Sequence, residues 1–526
     1  MSPPDVSTEG ESRDDPDQTP SPDVLVLTPF QRQIWDKAAV LGSFLRAHQS
    51  KAATPQAALM AMVASYTAVL GWLTWSQQSN FGTFGFDMGI HDQGIWLLSR
   101  FKDPYVTVVG RHYLGHHVSL IGYLFVPLYW LGAGPHALYA VETLWLALGA
   151  IPIWLLARDR LGNPWLGLVL AAAYLLYPAL EWINWWHFHP DALMITPLMF
   201  AYWLATRRSW RWFAVAVIVA LLCKEDAALA VAGLGLVLLW RRQRRAGVLT
   251  VAAGGAWFLV ATKVLIPGFN DGQPAFYEAM FPTLGDSMGE IVFNAVRHPS
   301  RVLELATSSE RLTYYRQLLL PVALLPLASL PALLVGAPQV VINVSAEALR
   351  AYDIHFHYSS AVIAAVFLAT VEGCARLGRR PAVARFMVGL VAATSLAGNV
   401  AWSPSPLSVK YRTGIWARPS PRVPALQAAV DQVPSEAGVS ASYTLVPHLT
   451  HRATIYEFPN PWVVSNWLDR TRKPSPDRVD YLVLDRTLNR DHQGLLDGLI
   501  AEGGEFEVVS ERDQVLVARR RAGGRR

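Results

Sequence analysis

The feature that most constrains this chain is a succession of apolar runs separated by short loops rich in arginine. Arg158/Arg160, Arg207/Arg208/Arg211, Arg241/Arg242/Arg244/Arg245 and Arg376/Arg379/Arg380 each interrupt hydrophobic sequence. Hydrocarbon offers backbone polar groups no partner, so such runs must fold as helices that bond internally. Short basic loops stay on the cytoplasmic side, and this sets the direction of each crossing. The pattern predicts about eleven spans: 57–75, 137–157, 164–181, 191–206, 211–223, 227–240, 247–267, 317–333, 334–350, 358–376 and 383–402. Lys51 holds the N-terminus inside, and an odd number of crossings leaves the C-terminal region outside. Of the 526 residues, 52% are hydrophobic and 16% charged, which is the profile of a multi-pass plasma-membrane protein. The net charge of +5 sits in the loops and the C-terminal tail, so topology accounts for it and nucleic acid is not a partner. Both cysteines, Cys223 and Cys374, lie inside apolar runs, which excludes a disulfide framework and thiolate metal binding.

Four segments follow. Residues 1–55 read as a cytoplasmic N-terminus, disordered at first and then amphipathic from Phe30 to His48. Residues 56–403 form an all-α polytopic domain. Residues 404–518 carry β-like runs at Val439–Tyr443, Thr454–Phe458, Asp480–Asp485, Phe506–Val509 and Gln514–Ala518, with helical stretches at Val423–Val433 and Asp491–Glu502. That alternation predicts a small extracytoplasmic α/β domain without a phosphate-binding glycine loop. Residues 519–526 read as a disordered basic tail. Val118–Leu131 is short and carries Pro127, so it reads as a helix along the outer interface.

Polar groups converge on the outer face. Directly after the first span comes Phe84-Gly85-Phe86-Asp87-Met88-Gly89-Ile90-His91-Asp92-Gln93-Gly94. Ionisable groups this close to hydrocarbon are costly and are functional candidates by default. Asp87 reads as a general base or, more blandly, as a cap on the next helix; Asp92 reads as structural. Further along lie His112/His116/His117, His187/His189/Asp191, Lys224/Glu225/Asp226 and Asp353/His355/His357/Tyr358. The runs flanking Lys224 are too short to cross about 30 Å of hydrocarbon, so the tip of that hairpin must sit in a polar funnel. Lys224 is either an internal ion-pair partner or a contact for lipid phosphate. His-x-His spacing does not place two ligands on one helix face; a divalent metal stays open as an alternative if His187, His189 and an acid share an extended loop.

The motifs Phe86-Asp87-Met88-Gly89-Ile90-His91-Asp92-Gln93, His116, His187-Phe188-His189-Pro190, Cys223-Lys224-Glu225-Asp226 and Val446-Pro447-His448-Leu449-Thr450-His451-Arg452 resemble a bacterial family of polytopic membrane proteins defined as a domain of unknown function. The layout also resembles the GT-C glycosyltransferases, among them protein mannosyltransferases and lipid A aminoarabinose transferases. That resemblance implies a sugar moved from a polyprenyl-phosphate donor to an envelope glycan, lipid or protein. It implies Asp87 and Asp191, the acids of the first and second outer loops, as catalytic, and Lys224 as the lipid-phosphate lysine. His116, His187, His189, Glu225, His357 and Tyr358 would be substrate contacts. Here Glu225 follows the lysine where the superfamily has a small or aromatic residue. A transporter or a non-catalytic envelope scaffold would also place ionisable groups in broken helices.

The arginine pattern generates a topology prediction. A periplasmic-type reporter fused after Trp402 is expected to be active and a cytoplasmic reporter silent; the reverse result would invert the topology.

Overall fold

The computed structural model describes residues 54–274 and 277–522. The amphipathic helix expected at 30–48 therefore lies outside the described residues. Among them, five helices are long and apolar enough to cross a membrane: Pro55–Ser79, Pro135–Leu161, Arg244–Gly268, His357–Leu377 and Pro381–Trp402. Two bent pairs and four shorter apolar helices complete the bundle. The chain is thus a membrane protein with a mostly helical body. The expected spans 191–206, 211–223 and 227–240 are short helices, Ala192–Thr206, Trp210–Cys223 and Ala227–Trp240. Val118–Leu131 contains another short helix, Leu120–Trp130.

Prolines govern the breaks. Pro164–Leu175 and Pro178–Trp185 meet at 45° because Pro178 supplies no N–H and disfavours a helical Tyr177. The Leu176 carbonyl accepts instead from Asn399 Nδ2 at 2.9 Å. A second break bends Ser309–Val322 against Leu325–Leu333 by 83°. There Ala323 and Leu324 have φ of 54° and 58°, and Ser395 donates to the Pro321 carbonyl at 2.7 Å. The expected boundary between 317–333 and 334–350 is therefore misplaced. The chain turns at 323–329, where Arg376 Nη1 donates to Ala328 O at 3.0 Å. It then returns through Leu330–Leu333 and Ala337–Ser345, until Asn343 Nδ2 reaches Tyr358 O at 2.9 Å. Gly373 permits the close approach at the turn, since a Cβ there would lie 2.3 Å from the Leu325 carbonyl oxygen.

The two ends of the bundle differ. At one end Glu372 pairs with Arg160 and with Arg241, both at 2.8 Å, and Arg207 pairs with Asp159 at 3.7 Å. Loops far apart in sequence thus gather their arginines on a single face. The C-terminal region sits at the opposite end. Its sheet has strands β1 (Val439–Ala441), β2 (Ile455–Glu457), β3 (Tyr481–Asp485), β4 (Phe506–Arg512) and β5 (Val515–Arg520) in the order β2-β1-β3-β5-β4. Pairs β2–β1 and β1–β3 are parallel, and the other two are antiparallel. Helices Val423–Asp431 and Gln493–Ile500 accompany the sheet. The tail expected to be disordered from 519 is shorter than that. Arg519 pairs with Glu507 at 2.6 Å and Arg520 with Glu505 at 2.8 Å, so both stay in the last strand; residues 523–526 lie outside the described residues.

The sheet is fastened to the membrane body through the polar stretch after the first span. Gly85 N donates to Tyr443 O at 2.8 Å, and Thr107 caps the edge of β2 by donating to Ile455 O at 2.8 Å. Asp92 is fully buried; it accepts from Tyr129 OH at 2.5 Å and from the Thr450 hydroxyl, and pairs with His451 Nε2 at 3.2 Å. A buried carboxylate must be fully partnered, and these three groups satisfy it. Asp92→Ala strands the Tyr129 hydroxyl, leaves Thr450 only its 3.3 Å bond to the Pro447 carbonyl, and is expected to cost about 1–3 kcal/mol. A lowered unfolding temperature in detergent, with faster proteolysis of the C-terminal sheet, checks this.

Candidate functional site

Directly under the sheet lies a cavity of about 480 Å³. Its lining includes Asp87, His116, His189, Asp191, Lys224, Arg350, His357 and Tyr358, with Asn466 and Leu468 contributed from the C-terminal region. Asp87 stands on a single wide helical turn, Gly85–Gly89, before the buried helix Ile90–Ser99. A Cβ on Gly85 would come within 3.0 Å of Glu457 Oε2 and 2.9 Å of the Val446 side chain, so only glycine lets this turn press against the sheet. Asp87 caps no helix: Oδ2 accepts from Trp186 Nε1 at 3.0 Å, and Oδ1 lies 3.5 Å from His189 Nε2.

The opposite wall is ionic. Lys224 Nζ lies 3.2 Å from Asp191 Oδ2 and 3.6 Å from Asp226 Oδ2, with the Tyr358 ring centroid 5.8 Å away. His357 Nε2 is 3.7 Å from the same Asp191 oxygen, and its ring stacks on His189 at 3.8 Å. Asp87, Asp191 and Lys224 therefore share one cavity although separate elements carry them. The ion pair and the cavity-facing lysine turn out to be the same group.

The family described as Predicted membrane protein (DUF2079) matches residues 78–517. The chain belongs to this family. No curated protein matches it. Two crystal structures of ArnT from Cupriavidus metallidurans are similar in shape, one bound to undecaprenyl phosphate and one in the apo state. Each is 15% identical, with TM-scores of 0.47 and 0.48, covering 87% of this chain and 97% and 98% of theirs. No chemistry is transferred at that level of likeness.

Two expected contacts of this DUF2079 chain do not line the cavity. His187 is fully buried and turns away, its Nδ1 2.7 Å from Tyr139 OH. Its φ of 86° is a left-handed conformation that a non-glycine residue adopts at a cost, and the turn it makes aims His189 and Asp191 into the cavity. Glu225 also points elsewhere, pairing with His117 Nδ1 at 2.7 Å and accepting from Val118 N at 2.8 Å. It therefore ties the hairpin tip to the outer loop. Among the described residues no group of three or more His, Cys, Asp or Glu is placed to hold a metal ion.

Sequence reasoning missed Arg350, Trp186 and Glu142. Arg350 was expected to be merely the end of a span. It is exposed, lines the cavity and makes no ion pair among the described residues. Glu142, buried in the helix Pro135–Leu148, accepts from His189 N at 3.3 Å. An acid inside a span was the available signal.

Electrostatics bind the sheet to the site. Burial opposes a charge on His189, but Asp87, its hydrogen bond and Asp191 outweigh burial and raise its pKa. Burial, followed by the Asp87 charge, pushes Glu457 up to about 7. An acid raised on folding binds protons more tightly in the folded state, so its contribution to stability falls as pH rises from about 4.5 through about 7. Glu457→Gln is expected to remove that fall and to raise the unfolding temperature relative to the parent at pH 8 more than at pH 5. Equal shifts at both pH values would mean that Glu457 is not held protonated beside Asp87.

Proposed function

We propose that this chain is an integral-membrane glycosyltransferase that moves a sugar from a polyprenyl-phosphate donor to a hydroxyl acceptor of the cell envelope, on the outer face. The observation that carries the reading is that a carboxylate, Asp87, and two cations, Lys224 and Arg350, line one cavity at the bundle end opposite the arginine loops. The donor class follows from the resemblance to GT-C transferases seen in the sequence. On this reading the N-terminus is cytoplasmic and the C-terminal α/β domain lies outside.

The chemistry needs three things at the hydrocarbon edge. The acceptor hydroxyl attacks the anomeric carbon, and the bond from that carbon to the phosphate oxygen breaks. Asp87 takes the hydroxyl proton, held in position by Trp186 and His189. The leaving lipid phosphate gains negative charge, which Arg350 and Lys224 stabilise. Asp191 acts chiefly through Lys224, fixing the ammonium against the cavity wall. The aromatic wall of Trp186, Phe356 and Tyr358 suits the apolar face of a sugar ring.

Asp87→Asn keeps the shape and one acceptor oxygen for Trp186 but gives up the charge facing His189 and is a far weaker base, and should lower transfer by about 10²- to 10⁴-fold without loss of folded protein. Arg350→Gln should raise the donor KM more than it changes acceptor use. Lys224→Met takes the cation away from buried Asp191 and half-buried Asp226, so Lys224→Arg is the better probe of the lysine. The measurement is label transfer from a polyprenyl-phosphate sugar pool in membranes carrying each variant at matched expression. Full activity in Asp87→Asn would remove Asp87 as the base and the mechanism with it.

A further inference from the structure

A second and larger recess, about 830 Å³, lies at the arginine-rich end, far from the polar cavity. One wall is a stripe of the helix Trp210–Cys223 at helical spacing, with Phe213, Val217 and Leu221 facing the recess. The other wall is the face of Arg244–Val260 that carries Leu249, Thr250 and Ala253. At the far end the walls are joined by Trp257 Nε1, which donates to the Leu221 carbonyl at 3.1 Å. Trp210 to Leu221 corresponds to roughly 16 Å of helix at about 1.5 Å per residue, or about half the hydrocarbon thickness. The groove therefore has the depth of one leaflet.

Its mouth is strongly basic. Arg208, Arg242, Arg244 and Arg245 line it. Their neighbours Arg207 and Arg241 are neutralised by Asp159 and Glu372. Among the described residues no ion pair engages the four at the mouth. Setting topology needs positive charge in a loop, but it does not need four unpaired guanidinium groups around an apolar slot closed at leaflet depth. Arginine forks match phosphate oxygens in pairs, and basic recesses between transmembrane helices hold anionic head groups.

We propose that this groove is a binding site for an anionic phospholipid of the adjacent leaflet, with its phosphate among Arg208, Arg242, Arg244 and Arg245 and an acyl chain along Phe213, Val217 and Leu249. The site is independent of the sugar-transfer reading. Native mass spectrometry on the full chain tests it, after delipidation and incubation with equal amounts of phosphatidylglycerol and phosphatidylcholine. The intact protein should retain phosphatidylglycerol at least about tenfold over phosphatidylcholine. Arg208→Gln/Arg244→Gln/Arg245→Gln should bring the ratio close to one. Because loss of basic residues can disturb insertion, Ala214→Trp supplies a second arm: it fills the slot, leaves every arginine in place, and should abolish retention of either lipid at this site. Equal retention of both lipids by the intact protein would overturn the proposal. So would an unchanged preference in the Ala214→Trp protein.

Discussion

The structure depends on the charge cluster at the tip of one hairpin that is too short to cross the membrane. Trp210–Cys223 and Ala227–Trp240 have 14 residues each, about 21 Å of helix against about 30 Å of hydrocarbon. Their junction cannot reach the surface, yet it carries Lys224, Glu225 and Asp226. Charges at that depth persist only when paired. Two of them find partners on other elements, Lys224 on Asp191 and Glu225 on His117 and the Val118 backbone, while Asp226 pairs with Lys224 within the tip at 3.6 Å. Satisfying the hairpin thus draws two outer loops inward, and the cavity is the space that remains between them.

The C-terminal sheet completes that space through the same stretch that holds Asp87. Asp92 binds Thr450 and His451, Thr107 caps β2, and Leu468 N donates to Val109 O at 2.9 Å. Asn466 and Leu468 then line the cavity beside membrane-domain residues. The loop between β2 and β3 is consequently part of the site wall, and the short buried helix Ile90–Ser99 is the plate on which both are mounted.

Much of this was legible in the sequence, and the residues explain which parts. Arginine loops and long apolar runs specify crossings because each run must satisfy its backbone alone. Asp87, Asp191 and Lys224 stood out because charge near hydrocarbon is costly. The proline-rich stretch 317–350 was misdivided: hydropathy says that it is buried in the membrane body, while Ala323 and Leu324 place the turn by backbone conformation, which composition does not encode. Arg350 falls at the end of that stretch, where hydropathy marks a span boundary and gives no sign of a cavity. His187 and Glu225 were expected in the cavity because neighbours in sequence were assumed to face one way. A left-handed backbone at His187 and the reach of Glu225 to His117 send them elsewhere.

Charge counting at the cavity wall separates the two cations. Lys224 is held by two carboxylates, Asp191 and Asp226, so this cluster presents no net positive charge when both acids are ionised. It can donate hydrogen bonds to an anion, but it does not draw one in from water. Arg350 is exposed at the same wall without a counter-charge among the described residues. On the proposed function, capture of a phosphate would fall to Arg350 and its orientation to Lys224. The buried acids, which look like a hindrance to anion binding, are what allow a lysine to stay charged below the membrane surface.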